Sequence, residues 1–168
     1  EVAVDTETSS LDPHQADLIG VSLSSKIGKA CYIPLGHKSQ KNLNKELVLK
    51  KLKPLLEDSS IKKIGQNIKF DFIVLFKHGI TISTMEDTML MSYVLDAGKN
   101  RHNMESLSEI HLNHKTIAFK DLVGTGKKEI NFKDVDVEKA KDYAAEDADI
   151  TFRLYKKFHK SLKDEKMV

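Results

Sequence analysis

The chain has 168 residues, of which 40% are hydrophobic and 31% are charged. This size and composition are typical of one globular domain and exclude collagen-like and low-complexity chains. The single cysteine, Cys31, excludes an internal disulfide and a cysteine-based zinc site. The net charge of +2 is too small to indicate nucleic-acid binding by itself, although a balanced total can hide local clusters of acids or lysines.

The longest uninterrupted apolar run, Phe72 to Phe76, is far below the roughly 18 residues that a membrane span requires, so we expect no membrane association. No signal peptide is visible, and a reducing cytoplasm is the simplest compartment. The chain begins at Glu1 in a segment that already has strand character, so we expect it to be a piece of a longer polypeptide. We expect one domain over residues 1–168, and a monomer.

The first 65 residues predict strands and turns around one helix. The β-prone segments are Val2 to Glu7, Leu18 to Leu23, Ala30 to Leu35 and Ile61 to Ile64. Gly28 separates the second and third segments, as in a hairpin. Leucines at helical spacing begin after Asn44 and end before the polar residues 58–60, which indicates a helix between the third and fourth strands.

The rest of the chain is predicted to be mainly helical. Asn67 is a favourable N-cap for a helix that runs to His78, with Gly79 at the C′ position. Further helices are predicted over Glu86 to Leu95, over Met104 to Leu112 and from near Asp136 onwards, with a loop-like stretch from Phe119 to Asp134. The last helix has an apolar stripe, which we expect to face inward: Ala140, Ala144, Ala148, Thr151, Leu154, Tyr155, Phe158 and Leu162. Early strands with interleaved helices predict an α/β domain with a mixed sheet and an antiparallel hairpin.

Two acids lie near the end of the first predicted strand. Asp5 and Glu7 are two residues apart, so their side chains project from one face, whereas Val2 and Val4 project from the other. Acidic pairs at this spacing are common in the chain. The other pairs, interpreted mostly as caps or solvated charge, are Asp134/Asp136, Asp136/Glu138 and Asp147/Asp149. Asp5 and Glu7 stand out by position, because α/β folds place their sites at the carboxyl ends of strands.

Two further acids are candidates for the same site. Asp71 lies among apolar residues early in the Asn67 helix, and a buried unpaired acid there requires a cation or a polar cleft. A first-turn acid favoured by the helix dipole is the alternative. Tyr143 and Asp147 share one face of the last helix, and Asp147 lies on its inward side, which makes it the expected functional acid of its segment. Glu146 and Asp149 lie off that side and are interpreted as solvated surface acids.

The four carboxylates Asp5, Glu7, Asp71 and Asp147 would repel one another if they converged, and divalent cations resolve that repulsion. Oxygen ligands without cysteine or an obvious histidine cluster favour Mg²⁺ or Mn²⁺ over zinc. Two such ions can activate water and stabilise a leaving oxyanion, which is the chemistry of phosphodiester hydrolysis.

The chain resembles the proofreading 3′–5′ exonuclease domain of bacterial DNA polymerase I, in the tyrosine branch of the DEDD superfamily. The resemblance rests on an ordered set of motifs: Asp5-Thr6-Glu7-Thr8, Tyr32-Ile33-Pro34, Gly65-Gln66-Asn67, Phe70-Asp71, Arg101-His102, His114-Lys115-Thr116 and Tyr143 to Asp149. It implies an RNase H-like fold with a five-stranded mixed sheet and flanking helices. It also implies that Asp5, Glu7 and Asp147 bind one metal ion, that Asp5 and Asp71 serve a second partly through water, and that Tyr143 with Glu7 orients the attacking water.

The resemblance also implies contacts with a single-stranded DNA 3′ end and a polymerase domain elsewhere in the parent chain. The implied DNA contacts are Leu11, Gln66, Asn67, Phe70, Arg101 and Phe119. Core packing of Leu11, capping by Asn67, loop packing of Phe119 and a solvated Arg101 are the alternatives. Many relatives have Tyr where this chain has Phe70, so a hydrogen bond from that position is not expected.

The expected activity is metal-dependent removal of 5′-mononucleotides from single-stranded or frayed DNA. Because every metal-binding acid of the family is present, we expect an active enzyme rather than one of the inactive relatives. A 3′ exoribonuclease of the same superfamily and a non-catalytic nucleic-acid-binding domain are the two alternatives.

Overall fold

The computed structural model describes residues 1–39 and 41–168. The strands are β1 (Val2–Thr8), β2 (Leu18–Lys26), β3 (Lys29–Pro34), β4 (Lys63–Gly65) and β5 (Met85–Asp87). The helices are α1 (Lys45–Glu57), α2 (Ile68–Phe76), α3 (Thr88–Asp96), α4 (Met104–Leu112), α5 (Phe119–Val123) and α6 (Val137–Asp164). Short 3-10 turns occupy Gly126–Lys128 and Phe132–Asp134.

The five strands form one mixed sheet in the order β3-β2-β1-β4-β5. β1 pairs with β2, and β2 with β3, in antiparallel fashion, whereas β1 with β4 and β4 with β5 are parallel. The predicted α/β class, the antiparallel hairpin and the RNase H-like fold are therefore confirmed. β1 lies at the centre of the sheet, so anything at its carboxyl end is surrounded by neighbouring elements.

Both faces of β1 are buried, and alternate residues serve different cores. Val2 and Val4 pack with leucines of α1 and apolar residues of α2 on one face. Ala3 packs on the other face with apolar residues of α6, among them Leu154 and Phe158. Because the side-chain period of a strand is two, Asp5 and Glu7 continue the Ala3 face towards α6, and Thr6 continues the Val4 face towards α2.

The long helix α6 covers the sheet and carries the predicted inward stripe. The whole stripe, from Ala140 to Leu162, is buried as predicted. The helix begins after Asp136, whose carboxylate accepts a hydrogen bond from the Glu138 backbone N–H, a standard N-cap interaction. The cap and the stripe together set the rotation of α6, and hence the direction in which its polar residues face.

Several predicted boundaries are wrong. Asn67 is not a side-chain N-cap: it adopts a left-handed conformation with φ 61°, and the Asp87 carboxylate accepts from the Asn67 and Ile68 N–H groups instead. Glu86 belongs to β5 rather than to the helix that follows it. The stretch from Phe119 to Asp134 is not only loop, because it contains α5 and two 3-10 turns. Within the described residues, no helix is both long and apolar enough to cross a membrane.

Candidate active site

Three acids meet where the carboxyl end of β1 faces α6. Asp5, Glu7 and Asp147 each offer a carboxylate oxygen, and these three oxygens all lie within 4.8 Å of one another. Asp5 and Asp147 are half-buried, and Glu7 is buried. Residues 140 positions apart in the sequence are thus brought together by the packing of α6 on the sheet.

The fourth acid, Asp71, approaches from α2. Its side chain is buried, and its Oδ1 accepts hydrogen bonds from the Thr6 backbone N–H at 2.9 Å and from the Thr6 hydroxyl at 2.6 Å. Thr6 lies between Asp5 and Glu7, so these bonds attach Asp71 directly to the acidic end of β1. The simple helix-dipole interpretation of Asp71 is therefore insufficient, because the carboxylate has a specific partner on another element.

Burial and mutual repulsion raise the pKa of all four carboxyl groups. Burial, followed by the charge of Asp147, raises the pKa of Asp5 to about 8. Burial, followed by the charge of Asp5, raises the pKa of Glu7 and of Asp71 well above their usual range. Burial raises the pKa of Asp147 to about 7, although a hydrogen bond from Tyr143 opposes that shift. The group cannot be fully ionised near neutral pH without a compensating positive charge.

The donor set fits divalent metal ions. Glu7 Oε1 is buried and has no hydrogen-bond partner among the described residues, which is costly for a carboxylate oxygen unless a cation uses it. The clustered ligands are carboxylate oxygens, which suit hard cations such as Mg²⁺ and Mn²⁺. The residues present are therefore compatible with the predicted metal site.

Tyr143 lies beside the acids on α6, within an aromatic cluster. Its ring centroid is 5.9 Å from that of Phe119 and 6.2 Å from that of Phe132. Burial raises the pKa of Tyr143 far above its usual value, and the charges of Asp147 and Glu7 raise it further. The hydroxyl therefore stays protonated and can act as a hydrogen-bond donor towards Asp147 and whatever occupies the site.

The acids and Tyr143 line an open cleft of about 620 Å³. Five of the six predicted DNA contacts also line it: Leu11, Gln66, Asn67, Phe70 and Phe119. Leu11 is 95% exposed, and Phe119 is 44% exposed. The alternative of Leu11 as a core residue is excluded, and Phe119 packs on the aromatic cluster while one side of it stays open.

Comparison with known proteins identifies the family. Residues 1–163 match the family model described as 3′-5′ exonuclease. The chain is 46% identical over 160 residues to DNA polymerase I of Pseudomonas aeruginosa and 44% identical over 175 residues to that of Rhizobium leguminosarum. The chain belongs to the 3′–5′ exonuclease domain family of DNA polymerase I. Each alignment covers 92% of this chain but only 18% and 17% of the relatives, so the chain spans about a fifth of their length.

Solved structures share the fold. NrnC of Brucella melitensis aligns with a TM-score of 0.74 and 26% identity, covering 98% of this chain and 74% of that one. RNase D of Escherichia coli aligns with a TM-score of 0.71 at 16% identity, covering 97% of this chain and 40% of that one. At that identity the second likeness concerns the fold alone.

Two of the predicted DNA contacts, Gln66 and Arg101, differ in their surroundings. The Gln66 amide is already engaged, because its Nε2 donates to the His102 carbonyl at 2.8 Å and its Oε1 accepts from the Thr88 hydroxyl at 2.5 Å. Arg101 is exposed and is not among the described residues that line the cleft. The Gln66–His102 bond nevertheless attaches the segment that carries Arg101 to the edge of the cleft.

Sequence reasoning missed one wall of the cleft. Residues 129–132 line it, and Asn131 Nδ2 donates to the Ser9 carbonyl at 2.8 Å, which joins this wall to the loop after β1. These residues lie in the stretch interpreted as loop. Their only sequence signal is a polar residue between apolar ones, which does not distinguish a cleft wall from an ordinary surface loop.

Two further acids of α6, Glu146 and Asp149, bind partners on other segments, whereas the sequence interpretation treated them as solvated charge. Asp149 accepts from the Gly28 backbone N–H at 2.6 Å and pairs with Arg153 at 2.8 Å, which holds the β2–β3 turn against α6. Glu146 accepts hydrogen bonds from His114 and from the Ile117 N–H. Both acids lie off the inward side of α6, as predicted, and each one attaches a neighbouring segment to this helix.

Proposed function

We propose that this domain hydrolyses the 3′-terminal phosphodiester of single-stranded or frayed DNA and releases 5′-mononucleotides, with two Mg²⁺ or Mn²⁺ ions. The observation that carries the proposal is the convergence of three carboxylates within 4.8 Å, with a buried Glu7 oxygen that has no partner among the described residues. DNA as the substrate is supported by the DNA polymerase I relatives, and magnesium by a solved structure of Brucella melitensis NrnC with bound Mg²⁺.

In this proposal each acid has a stated role. Asp5, Glu7 and Asp147 would hold one ion, and Asp5 and Asp71 would hold the second. The chemistry that bound divalent ions supply is activation of a water and neutralisation of the charge that develops on the leaving oxygen. Thr6 keeps Asp71 in place through its two hydrogen bonds, so the fourth carboxylate is positioned before any ligand arrives.

Tyr143 and the apolar residues of the cleft position the substrate. The protonated Tyr143 hydroxyl donates a hydrogen bond beside Asp147 and, together with Glu7, orients the attacking water. Leu11 and Phe119 contact the faces of the terminal bases, and such contacts tolerate every base because each base has an apolar face. An enzyme that removes whichever nucleotide was misincorporated requires this tolerance.

The decisive experiment compares Asp147→Ala with the wild-type domain on a 3′-labelled DNA oligonucleotide. We expect the variant to keep its circular dichroism spectrum and to lose cleavage by at least about 100-fold, because one ligand of the proposed ion site is gone. Asp142→Ala, an exposed acid on the same helix, is the matched control and should cleave normally. Wild-type cleavage by Asp147→Ala, or cleavage that survives a chelator, would overturn the proposal.

The same assay tests the two alternatives. A second candidate is a 3′ exoribonuclease, because the fold alone, which this chain shares with the exoribonuclease RNase D of Escherichia coli, does not select DNA over RNA. Matched DNA and RNA oligonucleotides separate the two, and faster cleavage of RNA would favour this candidate. A non-catalytic binding domain would show nucleic-acid binding with no Mn²⁺-dependent product at all.

A further inference from the structure

The segment that precedes Phe119, residues 114–118, is neither helix nor strand. α4 ends at Leu112, and the next residue, Asn113, adopts a left-handed conformation. Residues 114–118 then run to the start of α5 at Phe119. The Phe119 ring stacks nearly parallel to Phe132, with centroids 6.1 Å apart, and contacts Tyr143. Its place at the mouth of the cleft therefore depends on how this short segment is held.

Glu146 holds the segment with both oxygens of its carboxylate. Oε1 accepts a hydrogen bond from His114 Nε2 at 2.8 Å, and Oε2 accepts from the Ile117 backbone N–H at 2.7 Å. The side chain of Glu146 is 19% exposed and that of His114 is 39% exposed, so the carboxylate is the more buried partner of this pair. Two attachment points three residues apart restrict both the position and the direction of the segment as it reaches Phe119.

Glu146 is also attached to the catalytic part of the site, because it immediately precedes Asp147 on α6. A helix is rigid over one turn, so residues 143–147 move as a unit. The segment before Phe119 is thereby fixed relative to the same helix that presents Tyr143 and Asp147. At its other end the segment is tied to α4, because the Ser108 hydroxyl donates to the His114 carbonyl at 2.8 Å.

We propose that Glu146 is a positioning residue whose carboxylate clasps residues 114–117 and so holds the Phe119 ring where the 3′-terminal base enters. The role in substrate capture rests on the proposed nuclease function, whereas the clasp itself does not. A ring that is ordered in advance costs less conformational entropy when the substrate binds than a ring that must be ordered at that moment. Loss of the clasp should therefore weaken capture of the substrate and leave the chemical step nearly unchanged.

The kinetic test uses Glu146→Ala and Glu146→Gln on single-stranded DNA with saturating Mn²⁺. We expect Glu146→Ala to raise KM by about fivefold with kcat within about twofold of wild type. Glu146→Gln removes the same charge but keeps an oxygen that accepts from Ile117, so its KM should lie closer to wild type. Asp142→Ala, exposed on the same helix, should change neither constant. An equal rise of KM in the Ala and Gln variants would mean that the charge of Glu146 matters rather than its hydrogen bonds to residues 114–117, and would overturn the inference.

A double-mutant cycle tests whether Glu146 acts through Phe119. In a Phe119→Ala background, Glu146→Ala should change KM by less than about 1.5-fold, because the ring that it positions is gone. If Glu146→Ala raised KM by the same factor with and without the Phe119 ring, the inference would be overturned.

A second measurement does not require catalysis. The chain contains no tryptophan, so Phe119→Trp introduces a single fluorescent reporter at the position of interest. Adding Glu146→Ala should raise its acrylamide quenching constant by about twofold, since the side chain is released into solvent, whereas Asp142→Ala should not. Unchanged quenching would overturn the clasp even in an active enzyme. An inactive wild-type domain would instead refute the proposed function, and the quenching result would still decide the clasp.

Discussion

Thr6 and Asp71 join the central strand to α2 at the acidic end of the sheet: one oxygen of Asp71 accepts from both the backbone N–H and the hydroxyl of Thr6. Thr6 stands between Asp5 and Glu7, with its side chain on the opposite face of β1. The strand therefore presents two acids to α6 and, between them, binds a third acid that belongs to α2. This arrangement positions the three carboxylates of Asp5, Glu7 and Asp71 without any ligand.

Thr6→Val tests this connection. Valine has the shape of threonine without its hydroxyl, so Asp71 loses one of its two donors while the packing is retained. We expect the free energy of unfolding of the metal-free protein to fall by about 1 kcal/mol, as measured by urea denaturation. Thr125→Val, at an exposed position, should have no measurable effect. An equal loss in both variants would contradict the role given to the Thr6 hydroxyl.

The stability of the metal-free protein should fall as pH rises from 6.5 to 8.5. The pKa of Asp5 is about 8 and that of Asp147 about 7 in the folded chain, against an ordinary value of 3.8. At a pH between the ordinary pKa and the raised pKa of the folded chain, the folded state binds more protons than the unfolded state. Stability is therefore lost as pH rises through the folded pKa. The loss expected from these two groups is about 3 kcal/mol in urea denaturation with a chelator present.

Asp147→Asn provides the matched variant for this pH series. Removing one acid removes its own titration and its repulsion of Asp5, so the slope against pH should be smaller than in wild type. Stability that increases with pH in the wild-type protein would contradict the raised pKa values.

Leu11→Ala should weaken substrate binding without affecting the fold. The side chain is 95% exposed and lines the cleft, so its removal should cost less than about 0.5 kcal/mol of stability. We expect KM for single-stranded DNA to rise about fivefold, which corresponds to the loss of roughly 1 kcal/mol of apolar contact. Leu90→Ala, 59% exposed on α3 outside the cleft lining, should leave both quantities unchanged. A stability loss specific to Leu11→Ala would indicate a packing role.

Gly20→Ala should be destabilising because the Tyr32 ring lies directly over this glycine. A Cβ at position 20 would lie 2.2 Å from the Tyr32 hydroxyl oxygen, and that oxygen is held by His37 Nε2 at 2.6 Å. Gly20 is also the cross-strand partner of Glu7. We expect a loss of about 1 to 3 kcal/mol in thermal or urea unfolding, because Tyr32 must move and abandon His37. Unfolding at the wild-type midpoint would show that the ring moves freely.

Motif spacing predicted the faces from which the acids project, and the structure brings Asp5, Glu7 and Asp147 together. A strand places Asp5 and Glu7 on one side, and a helix places Tyr143 and Asp147 one turn apart, because both periodicities are local properties of the backbone. The roles of Asn67 and Gln66 could not be predicted in the same way. Asn67 is not a side-chain cap because Asp87, 20 residues later, supplies the carboxylate, and the Gln66 amide is engaged by Thr88 and His102.

Residue order and spacing alone were thus enough to predict the α/β class, the apolar stripe of α6 and the set of acids, since these depend on local periodicity and on residue chemistry. Only tertiary packing decided that Thr6 holds Asp71, that residues 129–132 form a wall of the cleft, and that Glu146 holds the segment before Phe119. Hydrogen bonds between residues that are distant in the chain depend on how whole elements pack, and no local pattern records them.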